Sequence, residues 1–240
     1  MYNIGNKLFV ITLGYDESHA IRSLMLHNKL SEGDLVLFVV PRGGTKNERT
    51  REALRTIENV VRYSTTGRDF YEVLELDVPE KENPLGSFYK SLSRLSRTII
   101  EKIKEINASE IIFDISGGMR ILTVIGLLSA YIVSSRVPKR PVRIEIETED
   151  KVMHVSIPTK VFNVILGSRE MLVLRILEER GPMSAKDLKE ETKMSRTTLY
   201  YTLRDLMKEN LVENVQRKYR ITETGKAILY LNVELERAFF

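Results

Sequence analysis

The sequence predicts a doubly wound α/β domain, its mostly parallel sheet ending in a β-hairpin, followed by a small domain built mainly of helices. Three observations carry this. The runs 7–13, 34–40 and 111–115 are apolar at nearly every position, which is the composition of strands buried on both faces, and they alternate with segments of helical period. Residues 142–157 instead alternate apolar and polar, as a half-exposed hairpin does. Beyond residue 158 the pattern turns to short helices.

In order, Lys7 to Leu13 is a first strand ending at Gly14, and Glu17 to Asn28 carries the Ile21, Leu24, Met25 spacing of a helix. Asp34 to Val40 is a second strand, stopped by Pro41 and followed by the loop Arg42-Gly43-Gly44-Thr45 and a charged helix to about Val60. Tyr71 to Leu76 makes a shorter third strand. Next comes a long helix, about Phe88 to Ile106, with Leu92, Leu95, Ile99, Ile103 and Ile106 in one stripe and Lys90, Arg94, Arg97, Lys102 and Lys104 on a solvated face. Ile111 to Ile115 is the central strand, and Ile121 to Val133 its following helix. Val142 to Glu147 and Val152 to Ile157 form the hairpin, with Arg143, Glu145 and Glu147 on its polar side.

The stretch Ile111 to Arg120 is the most informative of the chain. Its Ser116-Gly117-Gly118 turn lies between a buried strand and a helix, where backbone N–H groups form a concave nest at the positive helix end. Gly117 and Gly118 let backbone approach a ligand, Ser116 adds a hydroxyl and Arg120 a fork of donors. Two glycines also suffice to make a tight turn. The ordered set Asp114, Ser116 and Arg120 around them favours a binding role.

In an open parallel sheet ligands sit outside the carboxyl ends of the strands. Three loops are expected there: Gly14-Tyr15-Asp16-Glu17, Pro41-Arg42-Gly43-Gly44 and Ser116-Gly117-Gly118-Met119-Arg120. The first lacks the later glycines of a dinucleotide fingerprint, and no Gly-Lys-Ser or Gly-Lys-Thr occurs, so dehydrogenase and nucleotide triphosphatase readings are set aside.

Composition narrows the classes further. The chain of 240 residues has no cysteine, which excludes disulfide and thiolate metal sites and suits a reducing cytoplasm. The three histidines, His19, His27 and His154, have no ligand spacing, so each is expected at the surface or satisfied, and no metal is expected. No apolar run approaches the ~20 residues that span a bilayer, so a soluble cytoplasmic protein with no membrane partner is expected. The net charge of +4 announces no nucleic-acid binder by itself, but residues 196–220 hold six basic against three acidic side chains.

Pro158 to Gly167 reads as a linker, dividing the chain into residues 1–157, 158–167 and 168–240. Glu170 to Glu179 is a helix with Leu172, Leu174, Ile176 and Leu177, stopped at Gly181-Pro182. Ser184 caps a helix over Ala185 to Thr192 with Leu188 inward, and Ser195 caps another to about Asn210 with Leu199, Leu203 and Leu206 on one face. That order is a helix-turn-helix. Ser195 begins its second helix, whose outer face shows Arg196, Thr197, Tyr200, Tyr201 and Arg204, types that bond phosphates and base edges. Leu211 to Val215 and Lys218 to Ile221 form a wing, with Arg217, Lys218 and Arg220 placed for the sugar-phosphate backbone. Thr222 to Phe239 is a last helix striped by Ala227, Ile228, Leu231 and Leu235, with apolar surface to spare for a subunit interface.

Asp114, Ser116 and Arg120 fit the D-x-S-x-x-x-R pattern of CARF domains, the CRISPR-associated Rossmann fold, and Leu13-Gly14-Tyr15-Asp16-Glu17 is similar to that family's other motif. With the winged helix-turn-helix behind them, these residues make a chain that resembles, over essentially its whole length, the CARF plus winged-helix transcriptional regulators of archaeal type I CRISPR systems. The resemblance implies a Rossmann-like sheet and a homodimer whose paired loops bind a cyclic oligoadenylate, commonly cyclic tetra-adenylate, while the winged domains bind double-stranded promoter DNA. No other cofactor is implied. It also implies an alternative, a metal-independent ring nuclease in which Arg120, Ser116 and Arg42 would stabilise in-line attack by a ribose 2′-hydroxyl. The three loops contain no histidine or lysine for proton transfer, so no catalytic residue is assigned and the regulator reading leads. A third reading is an RNA-binding or scaffolding protein.

Overall fold

The structure is a computed structural model, and it describes residues 5–14, 17–26, 30–62, 70–78, 82–148, 153–162 and 166–239. The chain separates into two compact units, 1–159 and 160–240.

The first unit holds β1 (Lys7–Thr12), α1 (Ser18–Leu26), β2 (Leu35–Pro41), α2 (Glu48–Arg62), β3 (Tyr71–Leu76), α3 (Pro84–Glu105), β4 (Glu110–Asp114), α4 (Arg120–Arg136), β5 (Val142–Glu147) and β6 (His154–Pro158). Its six strands lie in the order β3-β2-β1-β4-β5-β6, the first five parallel and β6 antiparallel to β5. The order reverses between β1 and β4, so loops leaving those two strands diverge to opposite faces and open a crevice between them.

The apolar strand runs are explained by two cores. Leu8 and Val10 of β1 join Ile111 and Phe113 of β4 on the face covered by Leu92, Leu95, Ile99, Leu122 and Ile125 of α3 and α4. Phe9, Ile11 and Ile112 point the other way, against Ala20 and Leu24 of α1 and Ile57 of α2. Each strand therefore carries apolar side chains on both sides.

Two expectations are corrected here. The long helix begins at Pro84, not Phe88, because Asn83 caps it by accepting the Gly86 N–H and proline suits the first helical position. The polar side of the hairpin is not solvated at its centre: Glu145 is 1% exposed, on the side of the sheet covered by α1. Helix α4 is apolar nearly all round and leaves Val124, Leu128 and Ile132, one turn apart, each about two-fifths exposed.

The second unit holds α5 (Ser168–Arg180), β7 (Met183–Ser184), α6 (Ala185–Thr192), α7 (Arg196–Lys208), β8 (Val212–Val215), β9 (Lys218–Ile221) and α8 (Glu223–Phe239). Its core joins Met171, Val173, Leu174 and Leu177 to Leu188, Leu199, Leu203, Leu206, Ile221, Ile228 and Leu229. Leu172, on the same helix as Leu174, is 39% exposed. On α8 the buried pair is Ile228 and Leu229, while Ala227 and Leu231 face out; the stripe is shifted because Gly225 approaches Leu211 closely and sets the helix rotation. The strand β7 was not legible in the sequence; its two residues pair with β9 and make a three-stranded sheet. The residues expected as a linker begin inside the first unit, where the Thr159 hydroxyl donates to Ser134 Oγ at 2.8 Å and to the Val142 carbonyl at 3.0 Å.

Candidate functional site: a glycine-lined cavity at the sheet's switch point

The loops after β1, β2 and β4 enclose a cavity of about 380 Å³. Leu13 and Gly14 line it from the first loop, Pro41 from the second, and Ser116, Gly117, Gly118 and Met119 from the third. Two further residues line it: His19 of α1, expected from the sequence only as a surface or satisfied histidine, and Thr50 of α2, which sequence reasoning did not single out.

The glycines serve the loops' approach to each other. A Cβ on Gly14 would lie 3.0 Å from the Gly118 nitrogen, and one on Gly117 would lie 2.9 Å from the Thr12 carbonyl oxygen. Gly118 also holds φ at +92°, where side chains are strained. The Thr12 hydroxyl donates to the Gly117 carbonyl at 2.5 Å and closes this joint. Among the described residues, no backbone acceptor takes the N–H groups of Gly117, Gly118 or Met119, and no side chain caps the start of α4. The 17-residue helix α4 thus opens at the cavity with its positive end uncovered, a setting suited to an anion.

Behind this wall lies a polar layer on the α1 side of the sheet. Asp114, 2% exposed, accepts the Ser116 N–H at 2.9 Å. Burial pushes its carboxyl up from the usual carboxylate range, hydrogen bonds from Ser116 oppose this, and the neighbouring Glu145 carboxylate adds to it. Ser116 Oγ accepts the Glu147 backbone N–H at 2.8 Å, so this hydroxyl fastens the loop to β5 as well as lining the cavity. The Glu147 carboxylate accepts from Arg22 at 2.5 and 2.9 Å and faces His19 Nδ1 at 2.5 Å. Arg22 first, and His19 after it, hold Glu147 below the ordinary glutamate range against the opposing effect of burial.

The remaining expected ligand residues are placed as follows. Arg120 is the exposed first residue of α4, directly after Met119 at the cavity wall. Arg42 is 68% exposed and paired to Asp77 at 2.5 Å, away from the lining. The nest of the second loop is already filled: Gly43 and Thr45 N–H groups donate to Glu75 at 3.2 and 3.0 Å, and the Thr45 hydroxyl bonds the same carboxylate, which these contacts, led by that hydroxyl, lower in pKa. Gly44 is buried under Val40 and Pro41. Glu17 is half-buried before α1, while Tyr15 and Asp16 lie outside the described residues. Among the described residues no cluster suits a metal ion, and no helix is long and apolar enough to cross a membrane.

In the second unit, Ser195 caps α7 by accepting the Thr198 N–H at 3.1 Å. Arg196, Thr197, Tyr200, Tyr201 and Arg204 are all exposed on one side of it, opposite the buried Leu199, Leu203 and Leu206. The Arg204 guanidinium lies 4.7 Å from the Tyr201 ring centre and 3.2 Å from Asp205. The β8–β9 hairpin turns through Gln216 and Arg217 at φ 51° and 66°, with Arg217, Lys218 and Arg220 exposed and Arg220 paired to Glu213 at 2.6 Å.

Comparison with known proteins adds the following. Residues 164–238 match the family described as the HVO_A0261 N-terminal domain. No curated relative matches the sequence. The structure titled Enterococcus italicus Csm6 bound to cyclic hexa-2'-fluoro-hexa-dAMP is similar at 10% identity and a TM-score of 0.46, over 87% of this chain and 57% of that one, so this chain spans little more than half that protein's length. The structure of Drosophila ORC bound to GC-rich DNA and Cdc6 aligns at 13% identity and a TM-score of 0.26, over 97% of this chain and 86% of that one. At these scores neither likeness bears on fold or ligand. Residues 7–158, the whole six-stranded unit with its cavity, match the Csa3 CRISPR-associated Rossmann-like domain, and the chain belongs to that CARF family.

Proposed function

We propose that this protein is a dimeric CRISPR-associated transcription regulator that binds a cyclic oligoadenylate, most simply cyclic tetra-adenylate, at paired CARF cavities and promoter DNA through a winged helix-turn-helix. The observation that carries the reading is the open start of α4 beside Gly117 and Gly118, with the exposed Arg120 following: uncapped N–H groups and a guanidinium suit the phosphodiesters of such a ring.

Two further features support it. The strip Val124, Leu128 and Ile132 on the same helix is apolar and open to a second copy. In residues 160–240, two capped helices and a hairpin with a basic tip present arginine and tyrosine outward, the chemistry of a major-groove reader with a backbone-contacting wing. Ligand at the dimer would then bias the spacing of the two reading helices.

The test is a gel-shift series on the promoters of neighbouring CRISPR genes, with and without cyclic tetra-adenylate, beside calorimetric titration of the ring into native protein and Arg120→Ala. Specific retardation that responds to the ring, and ring binding weakened by Arg120→Ala with basal DNA affinity intact, is the expected result. No specific retardation in either condition would remove the regulator reading.

A further inference from the structure

His19 stands where neither the motif pattern nor the loops would place a functional group. It lies on the first turn of α1, five residues past Gly14, and its side chain is 16% exposed in the cavity wall. Its Nδ1 is 2.5 Å from Glu147 Oε2. Glu147 is itself held on three sides: Arg22 Nε on Oε1, Arg22 Nη2 on Oε2, and its own backbone N–H on Ser116 Oγ. A carboxylate clamped by a guanidinium has no proton to give, so the shared proton resides on Nδ1. That fixes the ring's orientation, as a carboxylate does for the histidine of a catalytic or metal site. The opposite ring nitrogen, Nε2, has no hydrogen-bond partner among the described residues.

We propose that His19 is a phosphate-contacting residue of the cavity, presenting Nε2 to a phosphodiester oxygen of the bound ring while the Glu147–Arg22 pair holds the imidazole in place. This rests on the cyclic oligoadenylate reading above. His19 then bridges the Glu147 carboxylate behind it and a phosphate before it. Among the described residues, the charged groups beside it are Glu147 of β5 and Arg22 of its own helix; on the same side of the sheet follow Asp114 of β4 and Glu145 of β5, with His154 of β6 3.4 Å from Glu145.

Two measurements test this on the full chain with cyclic tetra-adenylate as the probe. In titration calorimetry, His19→Gln binds the ring about tenfold or more weakly than native protein, the loss expected of one charged hydrogen bond. The melting temperature of His19→Gln stays within a few degrees of native. Independently of any variant, the Nε2 resonance in nitrogen NMR of the native protein moves on adding the ring. Native-like affinity in His19→Gln, or an unmoved Nε2 resonance at saturation, overturns the assignment of His19 while leaving the cavity reading to Arg120→Ala. Failure of native protein to bind the ring at all overturns both.

Discussion

The Glu147 backbone N–H donates to Ser116 Oγ at 2.8 Å, and this bond joins the end of β5 to the glycine turn after β4. Because the Glu147 side chain reaches in turn to His19 and Arg22 of α1, one residue of β5 ties two walls of the cavity together.

Ser116→Ala removes the acceptor from a partly buried N–H. We expect a loss of about 1–2 kcal/mol in denaturant unfolding, and a ring affinity lowered by slackening of the turn, both absent in Ser87→Ala on the exposed start of α3.

Gly117→Ala and Gly43→Ala separate close approach from backbone strain. The first puts a methyl 2.9 Å from the Thr12 carbonyl, whereas the second meets nothing within 4 Å and carries only the strain of φ +75°. Chemical unfolding of Gly43→Ala should show a cost of about 1 kcal/mol. Gly117→Ala should cost more and, unlike Gly43→Ala, weaken ring binding.

Glu147 titrates below its ordinary value of 4.5 in the folded protein, so the stability it contributes is present above that pH and is lost as pH falls through the lowered value. Native protein is expected to exceed Glu147→Gln by about 1–2 kcal/mol near neutrality. The gap should close during acid titration followed by circular dichroism; a gap unchanged at low pH contradicts the clamp.

Asp114 runs the opposite way. Its carboxyl is raised above 3.8, so its protonated form is favoured by folding and that contribution fades as pH rises through the raised value. Asp114→Asn keeps an acceptor for the Ser116 N–H and removes a buried charge beside Glu145. We expect it to melt at or above the native temperature near neutrality and to flatten the fall in stability on the way there from acid.

On the DNA side, Arg217→Asn is the cleanest removal of charge, because Asn tolerates the left-handed φ of 66°. It should lower DNA affinity similarly for all sequences and reduce the slope of log affinity against log salt by about 1, measured by fluorescence anisotropy. Arg204→Ala should instead act on sequence preference, since Arg204 sits on the exposed face of α7.

The amino-acid sequence alone determined the alternation of buried strands and helices, the final hairpin, and the turn at Ser116 to Arg120, because strand burial and glycine punctuation are written in local composition. It also placed Arg196, Tyr200, Tyr201 and Arg204 outward on one helix, since a period of 3.6 residues is a local property. Only the tertiary structure decided what the polar residues do. Glu145 and Glu147 have the same alternation as solvent-facing carboxylates, yet the first is buried beside Asp114 and His154 and the second is clamped by Arg22 and His19 of α1. Arg42 and Gly43 read as ligand groups in sequence, but Asp77 and Glu75, more than thirty residues away, occupy them. His19 had no spacing to mark it, and its place in the cavity wall follows from the switch point between β1 and β4, a relation between strands nearly a hundred residues apart. Such pairings depend on which surfaces meet in space, and no local pattern encodes them.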